Sequence, residues 1–81
     1  MKLQDTIEMM TSDDYSERFK AEFLQLQIRI DKLEKMLKGY REGTLDFKPK
    51  CSYDLLHKQL VFMKAYMEAL DVRADIENIE L

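Results

Sequence analysis

Apolar side chains recur at Phe19, Phe23, Leu26, Ile30, Leu33, Leu37 and Tyr40, with spacings of 4, 3, 4, 3, 4 and 3. The alternation averages 3.5 residues, the period of a seam along one side of an α-helix. A second run, Tyr53, Leu56, Leu60, Met63, Met67, Leu70 and Ala74, is spaced 3, 4, 3, 4, 3 and 4. Between the two lie the chain's only Gly and Pro residues, Gly39, Gly43 and Pro49, which punctuate helices and mark a loop. Folding the chain about that loop pairs Tyr40 with Tyr53, Leu37 with Leu56, Leu33 with Leu60, Ile30 with Met63, Leu26 with Met67, Phe23 with Leu70 and Phe19 with Ala74. Each pair sums to residue 93, so one register satisfies all seven. The pattern predicts an all-α fold: an antiparallel two-helix hairpin with a helix over about 14–38, a loop over 39–51 and a helix over about 53–77.

Several local signals sharpen this outline. Thr11-Ser12-Asp13-Asp14 supplies N-caps for the first long helix, including a Thr11-x-x-Asp14 capping box, and Ser52 caps the second. Asp31→Lys35 and Glu34→Lys38 are acid-before-base pairs at i,i+4. Leu3, Ile7 and Met10 share one face of a short N-terminal helix over residues 2–10. Ile76, Ile79 and Leu81 form a C-terminal apolar strip that docks or frays.

Two helices cannot enclose a core, and 81 residues make one small domain. With a single cysteine, Cys51, no internal disulfide staples it, and one Cys with one His, His57, makes no structural zinc site. Off the seam, Leu24 and Ile28 lie four apart, and Leu55, Gln59, Phe62, Tyr66, Ala69 and Arg73 form a second stripe. A monomer would expose these groups, so both size and pattern predict a homo-oligomer. No apolar run reaches the length of a membrane span, and the start MKLQDTIEMM lacks the form of a signal peptide. The expected location is the cytoplasm, away from membranes.

Charge then singles out candidate chemistry. The net charge of −3 hides a basic stretch: residues 18–41 hold seven basic and three acidic side chains. An acidic chain is poorly suited to a long nucleic acid, yet a local basic patch can hold a small anion. Lys20, Lys35, Lys38, Lys58 and Lys64 each have a carboxylate three or four residues away, whereas Arg29 and Lys32 have none. These two cations repel each other by roughly 0.2–0.5 kcal/mol at i,i+3, which an incoming anion or another subunit's acids would relieve. The hairpin register puts them on the side of Phe62, Tyr66 and Arg73, where rings could stack a base and cations could hold its phosphate. Arg73 also has Glu22 across the hairpin and Glu77 one turn on, as structural partners. No set of residues looks catalytic; His57 reads as a surface residue paired with Asp54, and neither cofactor nor metal is expected.

The run Arg18-Phe19-Lys20-Ala21-Glu22-Phe23, followed by Leu26, Arg29-Ile30, Lys32-Leu33 and Met36-Leu37, carries a family resemblance. So does Leu55-Leu56, Gln59-Leu60, Met63, Tyr66, Leu70 and Arg73. Together they resemble the helical-hairpin domain of bacteriophage cyclic-nucleotide sponges, the anti-CBASS and anti-Thoeris proteins. The resemblance implies a hexamer without catalytic activity. It would bind cyclic di- or trinucleotides, or cyclic ADP-ribose isomers, in pockets between subunits and so silence host immune signalling. It implies ligand contacts from an aromatic near the start of the first long helix, here Tyr15 or Phe19 beside Arg18, and from Lys32. An Arg late in the second helix serves a second pocket in some members; Arg73 and Met67 are the positions that compare. The chain departs from the Tyr-Arg-x-Leu entry of some members, because Ser16 and Glu17 follow Tyr15. Against a sponge stands a coiled-coil interaction module or inhibitor whose exposed stripes bind a host protein.

Overall fold

The computed structural model describes residues 1–81. A 3-10 turn over Leu3–Thr6 runs into a one-turn helix α1 (Ile7–Met10), and the long helices are α2 (Tyr15–Glu42) and α3 (Tyr53–Glu77). No strand is present, so the fold is all-α, as the periodicity predicts. The long helices lie against each other in a body measuring 43 × 24 × 16 Å.

The seam is the core. Phe19, Leu26, Ile30, Leu33, Leu37, Leu60, Leu70 and Ala74 are buried together, with Phe23, Tyr53, Leu56, Met63, Met67 and Ile79 packed around them. Tyr40 meets Tyr53 edge-to-face at 5.7 Å between ring centroids, at the loop end where the register pairs them. Ser52 caps α3 by accepting from the Leu55 N–H at 3.2 Å. At the start of α2 the cap is Asp14, which accepts from the Ser16 N–H at 3.0 Å, while Ser12 accepts from the Asp14 N–H. The Thr11 capping box does not form, because the Thr11 hydroxyl bonds back to the Ile7 carbonyl.

The first helix does not stop at residue 38. It runs through Gly39 to Glu42 and ends at Gly43, whose φ of +69° is the left-handed cap that glycine adopts without penalty. Gly39 is instead a packing glycine: a Cβ there would lie 2.8 Å from Leu45 Cδ2, so its bareness lets the loop fold back on the helix. The connecting loop is therefore 43–52 rather than 39–51.

The N-terminal segment occupies a second face of α2. Thr6 is fully buried and accepts a 2.9 Å hydrogen bond from Gln25 Nε2. Ala21, one turn earlier on that face, has no exposed surface either. Leu24 and Ile28 are consequently half-buried rather than bare, and Leu24 shares a hollow with Lys20, Phe23, Gln27 and Leu81 of the C-terminal tail. Helix α3 has no such cover. Leu55, Val61, Phe62, Tyr66, Val72 and Ile76 are all exposed along it. No helix is long and apolar enough to cross a membrane.

Candidate functional site

Three groupings hold the residues singled out by sequence. Tyr15, Arg18, Phe19 and Arg73 come together at the open end of the hairpin, where they line a hollow with Glu22. The first turn of α2 supplies Tyr15, Arg18 and Phe19 at i, i+3 and i+4, and the last turns of α3 bring Arg73 opposite them. The Tyr15 hydroxyl donates to Glu77 Oε1 at 2.6 Å and accepts from Arg73 Nη2 at 2.9 Å. Arg73 Nε closes the triangle on Glu77 Oε2 at 3.0 Å. The guanidinium lies 5.0 Å from the Phe19 ring centroid, a cation–π contact. Phe19 is itself only 4% exposed, whereas the Tyr15 ring, 6.3 Å away, is open to solvent. Arg18 reaches back to the Ser12 carbonyl at 2.8 Å through one nitrogen, leaving its other donors outward.

Each member of the triangle shifts the others' protonation. The hydrogen bond to Glu77 holds the Tyr15 phenol above its ordinary pKa, and burial and the Glu77 charge push the same way. The Tyr15 hydrogen bond keeps the Glu77 carboxyl below its ordinary value; desolvation opposes it, and the Arg73 hydrogen bond and charge add to the lowering. Arg73 is raised chiefly by its hydrogen bond to Glu77. Glu77 escaped the sequence reading of this site except as a partner for Arg73. It lies 62 residues from Tyr15, and no periodicity links the two.

Arg29 and Lys32 form the second grouping, halfway along α2. Both are exposed and line a hollow of about 360 Å³ with Leu3, Leu33, Met36, Gln59 and Met63. No carboxylate lines it. The chain's two ion pairs, Lys64–Glu34 and Arg73–Glu77, use neither cation. Tyr66 belongs to the third grouping, a hollow of about 510 Å³ on the outer face of α3 with Leu55, Lys58, Gln59, Phe62 and Met63. Gln59 and Met63 line both hollows, so the basic pair and the exposed rings adjoin, as the register implies. Lys58 sits 5.9 Å from the Phe62 ring centroid, adding a cation that its neighbour Asp54 had explained away in the sequence. Arg73 is not part of this surface. It belongs to the open end of the hairpin.

Several charge assignments change, and Asp31 makes no ion pair with Lys35. Glu34 pairs across the hairpin with Lys64 at 3.0 Å instead of with Lys38 on its own helix. His57 stacks on Tyr53, with ring centroids 6.0 Å apart and planes 16° from parallel, rather than pairing with Asp54. Neither residue reaches the hollows described above.

A family model described as Sequestin matches residues 13–76, which takes in all of α2 and nearly all of α3. The chain belongs to the Sequestin family. The family name suggests sequestration of a ligand or partner, and the matched residues include all seven candidate site residues. Comparison with curated proteins and with solved structures returned no match.

Proposed function

We propose that this protein binds and sequesters a cyclic oligonucleotide, or a cyclic ADP-ribose type signal, without cleaving it. The setting is phage evasion of bacterial immunity in the host cytoplasm. The observation that carries the reading is the Arg29–Lys32 hollow: two adjacent cations with no carboxylate among its lining residues. Charge-assisted hydrogen bonds from guanidinium and ammonium suit phosphodiester oxygens. The remaining lining groups, a carboxamide, thioethers and aliphatic chains, offer surface for a base or ribose. None of them takes a proton from water at neutral pH, so the hollow is suited to holding a ligand rather than hydrolysing it.

The aromatic contact comes from elsewhere. Tyr15 and Lys32 are 17 residues apart on one helix, about 25 Å along its axis. A single small ligand does not span that distance, so a pocket using both draws them from different copies. The uncovered face of α3, with Phe62 and Tyr66, provides the surface on which copies associate, and a hexamer is the assembly the family resemblance implies.

The test is calorimetry against a panel of cyclic di- and trinucleotides and cyclic ADP-ribose isomers, followed by chromatography of the recovered ligand. One member binds and is recovered intact. Lys32→Ala weakens that binding by about 1.5–3 kcal/mol, roughly ten- to a hundredfold, with helicity and oligomer mass unchanged. A panel without a binder rejects this reading and favours the second one, an interaction module whose exposed α3 face grips a host protein. Loss of the oligomer in Lys32→Ala would mean that Lys32 answers a neighbouring copy's carboxylate.

A further inference from the structure

We propose that Glu77 is a built-in occupant of an anion site at the open end of the hairpin, displaced when a phosphate group binds to Tyr15, Arg18 and Arg73. The proposal rests on the sequestration reading only in taking the natural ligand to carry phosphate. The Tyr15 hydroxyl donates to one Glu77 oxygen at 2.6 Å and Arg73 Nε donates to the other at 3.0 Å. These are two converging donors on two oxygens of one anion, the pattern with which proteins hold phosphate. Arg18, on the same hollow, spends one nitrogen on a carbonyl and keeps the rest of its fork for a further oxygen. The phosphate would thus meet two guanidinium groups and a phenol beside the exposed Tyr15 ring.

The resident carboxylate is held by side chains and not by its helix. Glu77 is the last residue of α3, and Asn78 follows in the left-handed conformation that ends the helix. The negative end of a helix dipole disfavours a carboxylate there. Asp75 and Glu80 add like charge nearby in sequence. Tyr15 and Arg73 are what hold it. Removing Glu77 frees the Tyr15 hydroxyl proton and Arg73 Nε, while Arg73 Nη2 keeps its bond to Tyr15 and Arg18 its bond to Ser12. A phosphate that displaces it recovers the same hydrogen bonds, adds Arg18, and frees an acid to move into water. While Glu77 stays, Tyr15, Arg18, Glu22, Arg73 and Glu77 carry no net charge together, so weak anions are refused.

The experiment uses the full chain and inorganic phosphate as the probe, followed by the NMR signals of the Arg73 and Arg18 Nε–H groups and the Glu77 carboxyl carbon. Glu77→Gln should bind phosphate roughly tenfold more tightly than the parent chain. Adding Arg73→Gln to that variant should abolish the gain. In the parent chain, saturating phosphate should shift the Glu77 carboxyl signal, a readout that does not depend on any variant folding. An unmoved Glu77 signal, an equal or weaker affinity in Glu77→Gln, a gain that survives Arg73→Gln, or no phosphate binding in either chain each overturns the proposal. Phosphate is followed here at the Glu77 carboxyl and Arg73 Nε–H signals and the cyclic nucleotides by calorimetry, so failure here and failure of cyclic-nucleotide binding at Arg29 and Lys32 are told apart.

Discussion

Helices α2 and α3 are of similar length and share one seam, but they spend their apolar residues differently. Seven residues of α2 are buried, on two faces, against three of α3. Helix α3 nevertheless displays Leu55, Val61, Phe62, Tyr66, Val72 and Ile76 to solvent. The difference lies in what the rest of the chain covers. The N-terminal segment docks on the second face of α2 through Thr6 and Gln25, and the C-terminal tail reaches Leu24. Neither segment packs on the outer face of α3. A helix can therefore be rich in apolar residues and poor in buried ones.

Substitutions can break this contrast at several strengths. Leu70→Ala, at a side chain only 1% exposed on the seam, should cost about 2–5 kcal/mol in urea unfolding. Ala21→Leu, on the covered second face of α2, should cost about 1–3 kcal/mol by overpacking. It should also release residues 1–10, seen as fast amide exchange confined to them. Phe62→Glu should change the stability of a single chain by no more than about 0.5 kcal/mol, yet reduce the sedimenting mass toward the 9.7 kDa of one chain. A parent chain that already sediments as a monomer would remove the partner assigned to α3. Lys35→Ala, on an exposed face away from every hollow described, should alter neither stability nor mass.

Acid should loosen the open end before the seam. The folded pKa of Glu77 lies below its ordinary value, so its contribution is complete above the unfolded carboxylate range and is lost as pH falls through the lowered folded value. Tyr15 runs the other way: its raised phenol pKa supports the triangle below the ordinary tyrosine range and fails as pH climbs through the raised value. Amide exchange of the last turn of α3 should therefore accelerate at both extremes in the parent chain. In Glu77→Gln the acid limb should vanish.

The seam and the Ser52 cap were legible because both are periodic or local: each residue's role follows from neighbours three or four positions away. What was not legible depends on polar contacts between distant segments. Tyr15 and Glu77 meet across 62 residues, and Thr6 meets Gln25 across 19. Gly39 looks like a helix stop by type, and only the approach of Leu45 explains why a glycine sits inside the helix. Glu34 had an acceptable partner on its own helix, and the opposite helix offered Lys64 instead. For the site the same rule holds. Arg29 and Lys32 were found because the helix itself leaves them without acids, while the grouping of Tyr15, Arg18 and Arg73 around Glu77 emerges only when the hairpin closes.

Cys51 lies exposed in the loop at the pole opposite the Tyr15–Glu77 clasp, and it is the only thiol in the chain. That makes it a natural compass needle for any assembly. Copies pointing the same way gather their thiols at one pole, where oxidation can weld them in pairs. Copies pointing in opposite directions keep them apart by up to the 43 Å length of the body. A spin label or dye on this one position would read the polarity of the assembly directly, without disturbing the three candidate hollows.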